Sequence, residues 1–189
     1  MQLALFREFL TRSKGFIQVG RKATSTKGIV RVNGKVSVVN KGTLNIGSNL
    51  IMNGERIGSS VVVFQQAELT IHDNVFINYG FDIGCTKKIT IGKNTIIGPL
   101  VNIIDSNFHS VDANDEISCK EINIGRNVWI SRGVVILPGV TIGDNSVIGA
   151  GSVVTKDIPP NVLAAGIPAT TIKELTPPPK RWLRKYLYS

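Results

Sequence analysis

The hydrophobic residues of the chain recur with a period of six. The first series consists of Ile124, Ile130, Ile136, Ile142, Ile148 and Val154, and a second series, four residues later each time, of Val128, Val134, Val140, Ser146, Ser152 and Ile158. An α-helix would place apolar residues three and four positions apart, and the glycines and prolines between Arg132 and Gly151 would weaken or break it. The pattern therefore excludes a helix in this part of the chain.

Six residues are the length of one short strand and a turn, so the period predicts a solenoid. Three hexads make a triangular coil in which branched side chains stack, while Gly, Asn and Asp supply the corner angles. The register continues backwards through Ile71, Ile77, Ile83, Ile91, Ile97 and Ile103, with two extra residues at Thr86 to Lys88, and more degenerately through Val32, Val38, Ile46, Met52 and Val63. We predict an all-β parallel β-helix of about six coils.

One long interruption and two terminal segments complete the predicted organisation. The polar stretch from Asp105 to Glu121 cannot be stacked, so we expect an extruded loop over residues 104–121, where function is often located. Leu3, Phe6, Phe9 and Leu10 share one face of a predicted helix over 1–14, which we expect to cap the first coil. The sequence predicts a single domain: this helix, a β-helix over 30–160, and a C-terminal segment over 161–189 that ends in a second helix.

Composition narrows the class of protein. The chain has 189 residues, a net charge of +9 and only two cysteines, so we expect neither a disulfide framework nor a Cys-based zinc site. Positive charge is concentrated near the two ends, without a nucleic-acid-binding motif, which argues against nucleic-acid partners. Arg7 and Glu8 interrupt the first apolar stretch, so we expect no export signal and a cytoplasmic location.

Several segments resemble the hexapeptide-repeat acetyltransferases. The motifs are Ile142-Gly-Asp-Asn-Ser-Val, the following Gly-Ala-Gly-Ser-Val-Val-Thr-Lys-Asp-Ile-Pro-Pro, and Ala164-Ala-Gly-Ile-Pro-Ala. They look most similar to the galactoside, maltose and nodulation O-acetyltransferases and to the capsule and lipopolysaccharide O-acetyltransferases. The resemblance implies a left-handed β-helix, a homotrimer with an active site at each subunit interface, and acetyl-CoA as co-substrate without a metal. The implied reaction is acetylation of a saccharide hydroxyl, in surface polysaccharide or lipopolysaccharide biosynthesis.

The resemblance also implies roles for individual residues. His109, in the segment Ile104-Asp-Ser-Asn-Phe-His-Ser, matches the base that deprotonates the acceptor hydroxyl, a task for which the imidazole pKa is suited. Asp105 or Asp112 is the candidate to orient it. Asn78 matches an asparagine that binds the acceptor, and Trp129, in Val-Trp-Ile, matches a residue lining the channel of the pantetheine arm.

Contacts to the coenzyme carry over in the same way. The resemblance assigns them to the backbone of Arg132 and Ala150 and to Thr155, Lys156 and Lys173. The chain departs from the family pattern at Ser131-Arg132, so a backbone N–H donor is what transfers at Arg132. It departs again at Thr170, where relatives commonly place a basic residue.

Other functions remain open at this stage. N-acetylation of an amino sugar nucleotide or acetylation of serine fits the same coenzyme-binding motifs. A zinc carbonic anhydrase would need three histidine ligands, and the chain has only His72, which we interpret as a turn residue, and His109. A non-catalytic scaffold or ice-binding solenoid would show regular threonine ranks, which we do not find in the sequence. The basic and aromatic residues of the segment Lys180 to Tyr188 are compatible with weak association of the chain with the inner face of a membrane.

Overall fold

A computed structural model of the chain describes residues 2–110, 112–179 and 182–183, with side chains from Leu5 onward. Its elements are helix α1 (Gln2–Gln18), a 3-10 turn (Gly20–Lys22), and strands β1 (Ser25–Thr26), β2 (Val30–Asn40), β3 (Thr43–Ile46), β4 (Leu50–Val63), β5 (Glu68–Ile71), β6 (Phe76–Ile77), β7 (Asp82–Cys85), β8 (Lys88–Ile91), β9 (Ile96–Ile97), β10 (Asn102–Ile104), β11 (Ile122–Ile124), β12 (Trp129–Ile130), β13 (Val135–Ile136), β14 (Thr141–Ile142), β15 (Val147–Ile148), β16 (Val153–Val154), β17 (Val162–Gly166) and β18 (Ala169–Glu174).

The strands form the three faces of a prism. Face A contains β1, β3, β5, β8, β11 and β14. Face B contains the first halves of β2 and β4, followed by β6, β9, β12, β15 and β17, and face C contains the second halves of β2 and β4, followed by β7, β10, β13 and β16. We call the corners AB, BC and CA after the faces they join. All pairings between coils are parallel, and the chain is a left-handed parallel β-helix, as predicted.

The interior is a continuous stack of aliphatic side chains. Every residue of the predicted series is buried, including Ser146 and Ser152, whose hydroxyls donate to the carbonyls of Pro159 and Gly149 at 2.7 Å. A bridge between Ile142 and Ile158 and the pairing of β17 with β15 add a partial coil beyond the predicted ones. The solenoid therefore has about seven turns rather than six.

Corner AB is built from asparagines in the left-handed backbone region. Asn49, Asn74, Asn94, Asn127, Asn145 and Asn161 all have φ between 55° and 61°. Their side-chain amides bond from coil to coil, for example from Asn49 to Asn74 at 3.1 Å and from Asn127 to Asn145 at 2.9 Å. Asparagine tolerates this backbone conformation, and its side-chain amide supplies both a hydrogen-bond donor and an acceptor. It therefore stabilises the corner in two ways, through the turn of the backbone and through bonds between coils.

Face A carries a polar column that the sequence reading missed. Cross-strand pairing aligns Ser25, Asn45, Thr70, Thr90, Asn123 and Thr141 on its outer side. Only three of these six residues are threonines, so the column is not a regular threonine rank, and the sequence separation of its neighbours varies from 18 residues to 33. A search at constant period does not detect such a column.

Helix α1 closes the open N-terminal end of the prism with its polar face. Gln18 donates to the carbonyl of Gly34 at 3.3 Å and accepts from the N–H of Val36 at 2.7 Å. Arg31 donates to Glu8 at 3.2 Å, and hydrogen bonds from Arg12 and Arg31 lower the pKa of Glu8. The helix runs to Gln18, beyond the predicted end at residue 14.

The predicted orientation of this helix was wrong. Phe6, Phe9 and Leu10 were expected to cover the coil, but they are exposed. The end of a β-helix is a row of unpaired backbone N–H and C=O groups along β2, and these groups require polar partners. The polar face of α1 therefore turns inward and the apolar face turns outward.

The C-terminal end is closed differently. Strand β18 returns antiparallel to β17 along face B. The predicted helix over Lys180 to Tyr188 lies outside the described residues, apart from Trp182 and Leu183. Within the described ranges, no helix is long and apolar enough to cross a membrane.

Gly15 provides a test of how α1 is seated. A Cβ atom built on Gly15 would lie 2.0 Å from the carbonyl oxygen of Val30, whereas one on Gly58 meets nothing within 4 Å. We expect Gly15→Ala to displace the helix and lower the free energy of unfolding by about 1–3 kcal/mol, the range for overpacked sites. Chemical denaturation measures this loss. Gly58→Ala is the matched control and should leave stability within about 0.5 kcal/mol of wild type; equal values for both variants would contradict the close packing.

Candidate active site

The histidine-bearing loop leaves the prism at corner CA, between β10 and β11. An antiparallel bridge between Ser106 and Cys119 closes its base, where the N–H of Asn107 donates to the carbonyl of Ser118 at 3.2 Å. The N–H of Lys120 donates to the carbonyl of Asp105 at 2.9 Å. These bonds fix both ends of the loop to the solenoid, and His109 lies exposed beyond them.

Phe108 anchors the loop next to His109. Its φ of 58° is unusual for an aromatic residue, and its N–H donates to the hydroxyl of Ser106 at 3.0 Å. The ring lies 5.7 Å from the ring of Phe64 and covers Gly84, where an added Cβ would be 3.5 Å from it. Backbone strain of this kind is typical of functional sites, where surrounding contacts hold it in place. The backbone next to His109 is therefore held by the contacts of Phe108 with face C.

Asp105 does not contact His109. Its carboxylate is completely buried and accepts hydrogen bonds from the N–H groups of Thr86, Lys87 and Lys88 and from the hydroxyl of Thr86, at 2.6 to 2.8 Å. These four bonds occupy the lone pairs of the carboxylate. The structure thus corrects the expectation that Asp105 orients the histidine: it holds the corner formed by the two inserted residues.

The buried carboxylate also affects its neighbour Cys85. Burial, together with the charge of Asp105, raises the pKa of the Cys85 thiol to about 12. The thiol lies 3.7 Å from the Asp105 carboxylate and 3.3 Å from the carbonyl oxygen of Glu68. A thiol held protonated in this way is a poor nucleophile at neutral pH.

Asp112, the second candidate to orient the histidine, belongs to a local turn. It accepts from the N–H of Asn114 at 3.3 Å through its side chain and from the N–H of Asp115 at 3.0 Å through its carbonyl. Among the described residues, neither Asp112 nor Asp105 makes a hydrogen bond with His109.

Asn78 lies at corner BC, directly after strand β6 of face B, whereas His109 lies at corner CA, at the other end of the face C strands. Its side-chain oxygen accepts from the N–H of Tyr79 at 2.9 Å and from the amide of Asn53 at 3.4 Å, and Asn33 donates to Asn53 at 2.9 Å. This asparagine ladder borders an open cleft of about 600 Å³, whose other walls include Thr11, Arg31, Arg56 and Tyr79. A cleft of this size is typical of small-molecule sites.

Arg56 and Tyr79 are residues of this cleft that the sequence reading missed. The guanidinium carbon of Arg56 lies 5.7 Å from the centre of the Tyr79 ring, and Arg132 donates to the Tyr79 hydroxyl at 3.3 Å. Arg56 belongs to the exposed segment 55–58, which interrupts the pairing of β2 with β4. The available signal was this irregular spacing in the first coils.

The predicted coenzyme contacts on face B and corner BC are accessible. Trp129 projects from β12 between Ile96 and Val147, with 45% of its surface exposed. Arg132 and Ala150 are exposed on successive coils, where the carbonyl of Arg132 accepts from Gly151 at 2.8 Å. Within the described part of the chain, the backbone N–H groups of Arg132 and Ala150 have no acceptor. Both groups are therefore free to donate to a ligand.

The remaining predicted contacts lie elsewhere. Thr155 and Lys156 are exposed at corner CA, directly after β16, and Lys173 is exposed on β18 opposite Leu163. The single chain therefore divides the candidate residues between two corners of face C. His109, Thr155 and Lys156 lie at one corner, and the asparagine ladder, Arg132 and Ala150 lie at the other. The two corners lie at opposite ends of the face C strands. The four residues of β7, for example, span about 13 Å between them.

No metal cluster accompanies these residues. In the ranges 2–110 and 112–179, no three His, Cys, Asp or Glu side chains are grouped so that they could hold a metal ion.

Comparison with known proteins identifies the family. The family model described as bacterial transferase hexapeptide (six repeats) matches residues 121–156. The putative lipopolysaccharide biosynthesis O-acetyl transferase WbbJ of Escherichia coli K12 is 32% identical, over 89% of this chain and 92% of its own length. The galactoside O-acetyltransferase of the same organism is 46% identical, over 63% of this chain and 60% of its own length. The chain thus spans less than two thirds of that relative.

Solved structures agree with these sequence matches. A hexapeptide-repeat containing acetyltransferase from Vibrio cholerae superimposes with a TM-score of 0.62 at 29% identity, over 90% of this chain and 82% of that chain. Its complex with acetyl-coenzyme A superimposes with a TM-score of 0.53 at 39% identity, over 57% of this chain and 61% of that chain. This chain belongs to the hexapeptide-repeat acetyltransferases, as its repeat motifs predicted.

The corrected role of Asp105 is testable. We expect Asp105→Ala to lower the free energy of unfolding by about 3 kcal/mol, because it removes the acceptor of the backbone N–H groups of Thr86, Lys87 and Lys88. Chemical denaturation measures this change. Asp112→Ala, in the exposed turn, is the control and should stay within about 0.5 kcal/mol of wild type. If Asp105→Ala kept its stability and lost only activity, the orienting role would be restored.

Proposed function

We propose that this chain transfers an acetyl group from acetyl-CoA to a hydroxyl of a saccharide, with His109 as general base. The observation that carries the proposal is the match to WbbJ over nearly the whole chain, together with an exposed histidine on an anchored loop. The Vibrio cholerae complex supports acetyl-CoA as donor. Use of this donor, and the free thiols of Cys85 and Cys119, support a cytoplasmic location.

The chemistry follows from the weakness of a neutral hydroxyl as a nucleophile. The imidazole of His109 accepts the hydroxyl proton while the oxygen attacks the thioester carbonyl. The carbonyl oxygen becomes an oxyanion, for which the unpaired backbone N–H of Arg132 is the proposed donor. Collapse of the intermediate forms the ester and breaks the C–S bond, and the imidazolium returns its proton to the departing thiolate of CoA.

The division of the candidate residues between corners BC and CA supports a homotrimer. A general base has to lie within hydrogen-bond reach of the hydroxyl, and the two corners of one chain are too far apart for that. In a closed cyclic assembly, corner CA of each subunit meets corner BC of the next. His109 of one subunit then faces Asn78 of its neighbour, and the site is complete only in the assembly.

Each side of this shared site has a proposed ligand. The cleft bordered by the asparagine ladder holds the acceptor sugar, with Asn78 accepting or donating to its hydroxyls and Arg56 and Tyr79 forming its far wall. Trp129 and the backbone N–H of Ala150 hold the pantetheine arm, while the backbone N–H of Arg132 contacts the thioester end of the coenzyme. Thr155, Lys156 and Lys173 are exposed polar or basic groups suited to the phosphates of the coenzyme.

Replacement of the proposed base is the first test. We expect His109→Ala to lower kcat by a factor of about 100 to 10,000, the usual contribution of a general base. Release of CoA from acetyl-CoA, measured against sugars, nucleotide sugars and serine, also identifies the acceptor. His72→Ala, which removes the other histidine, is the matched control and should retain wild-type activity. Equal rates in the His109 variant and wild type would eliminate His109 as the base.

A second test addresses the shared site. His109→Ala and Asn78→Ala chains are unfolded together, mixed in equal amounts and refolded. Every mixed trimer then contains one site with both native side chains, so random mixing restores about a quarter of wild-type activity, although each variant alone is nearly inactive. If the mixture stayed as inactive as its components, both residues would have to act within the same subunit.

A further inference from the structure

The outer face of helix α1 is an apolar surface that lies outside the proposed site. Leu5, Phe6, Phe9, Leu10, Phe16 and Ile17 are 40% to 66% exposed. On an α-helix these six positions lie within an arc of about 140°. A contiguous apolar face of this kind marks an interaction surface rather than ordinary surface variation. We call these six side chains the α1 outer face.

The position of this face cannot change without breaking the cap of the solenoid. Gln18, Glu8 and Gly15 on the inner side of the helix contact Gly34, Val36, Arg31 and Val30 of the first coil. Rotating α1 to bury its phenylalanines would leave the backbone groups of β2 without partners, at a cost of about 1–3 kcal/mol for each group. The apolar face is therefore held outward.

The charge of the N-terminal region indicates what covers the α1 outer face. Residues 1–35 contain eight lysines and arginines and one acidic residue, Glu8. On the helix, Arg12 flanks one side of the α1 outer face, and Arg7 and Lys14 flank the other. All three basic residues are exposed. Basic residues on both sides of an aromatic stripe are the arrangement of helices that lie in the plane of a bilayer surface.

The same charge disfavours a second copy of the chain as the occupant. Two α1 outer faces brought together would place two strongly basic ends against each other, and like charges oppose such an association. An anionic lipid surface, in contrast, gains about 1 kcal/mol for each basic residue close to it. We propose that α1 docks this protein on an anionic membrane surface, with its six apolar side chains inserted at the headgroup level.

The proposal has a consequence for the acceptor that rests on the proposed function. Thr11, on the inner side of α1, lines the acceptor cleft next to Arg31. With the outer face in the bilayer surface, the cleft opens about one helix diameter, on the order of 10 Å, above the headgroups. The substrate class that this position favours is a saccharide carried on a membrane lipid.

Vesicle binding tests the docking without any acetyl transfer, so its failure is distinguishable from failure of the proposed reaction. The full chain is sedimented with vesicles of phosphatidylcholine alone or with phosphatidylglycerol added. We expect binding to the anionic vesicles, weakened at high salt, and at least a tenfold lower partition coefficient for Phe6→Gln/Phe9→Gln. Ile167→Gln/Ile172→Gln changes two equally exposed residues at the opposite end and should bind like wild type.

Four results would overturn the proposal. The wild-type chain could fail to bind anionic vesicles, or the Phe6→Gln/Phe9→Gln variant could bind them as well as wild type. Alternatively, light scattering could find that this variant has a smaller assembly mass, which would make the α1 outer face a contact between copies. Loss of binding only on replacing Lys180, Arg181, Arg184 and Lys185 by serine would assign the membrane contact to the C-terminal segment instead.

Discussion

Hydrogen bonding of each coil to the coil before it is the constraint on which this structure depends. Because each strand from β3 to β17 pairs in parallel with a strand one turn earlier, inward positions must recur in register and must hold side chains that stack. Residues beyond the repeat cannot enter the stack, so they leave it at a corner. The inserted pair after Cys85, the segment 55–58 and the long loop after β10 all do so. The proposed base His109 and the proposed acceptor-binding residue Asn78 thus lie at corners, while the faces supply rigidity.

This constraint explains how much of the fold was predictable. From Ile71 onward, short strands and turns keep the spacing near six, so the aliphatic series marks the buried positions directly. In the first two coils, β2 and β4 turn corner BC as continuous strands, and the hexads are blurred. The orientation of α1 was predicted wrongly because amphipathicity was taken to mean contact with a hydrophobic core. At the end of a solenoid the surface to be covered is polar backbone.

The site was predictable in part, for a related reason. Resemblance to the family selected His109 as the candidate base, and in the structure it is exposed on an anchored loop. Asp105 was misassigned because a sequence does not indicate whether a carboxylate points to solvent or into a turn. The insertion after Cys85 adds backbone N–H groups to the corner, and these groups donate to the Asp105 carboxylate. Arg56 and Tyr79 are 23 positions apart in sequence and meet through stacked coils, so the irregular spacing of the first coils marks the segment of Arg56 but not this contact. The separation of the candidate residues between two corners likewise depends on three-dimensional stacking.

The caps at the two ends have a meaning beyond stability. A β-helix has no intrinsic length, since each new coil presents the same edge as the last, and an uncovered end would serve as a template for further chains. Helix α1 blocks growth at one end and the antiparallel return of β18 changes the edge at the other. Axial polymerisation is therefore suppressed, and association is left to the lateral faces. Lateral contact is the only direction in which corner CA of one copy can reach corner BC of another, so the features that prevent fibres also favour the geometry of the proposed shared site.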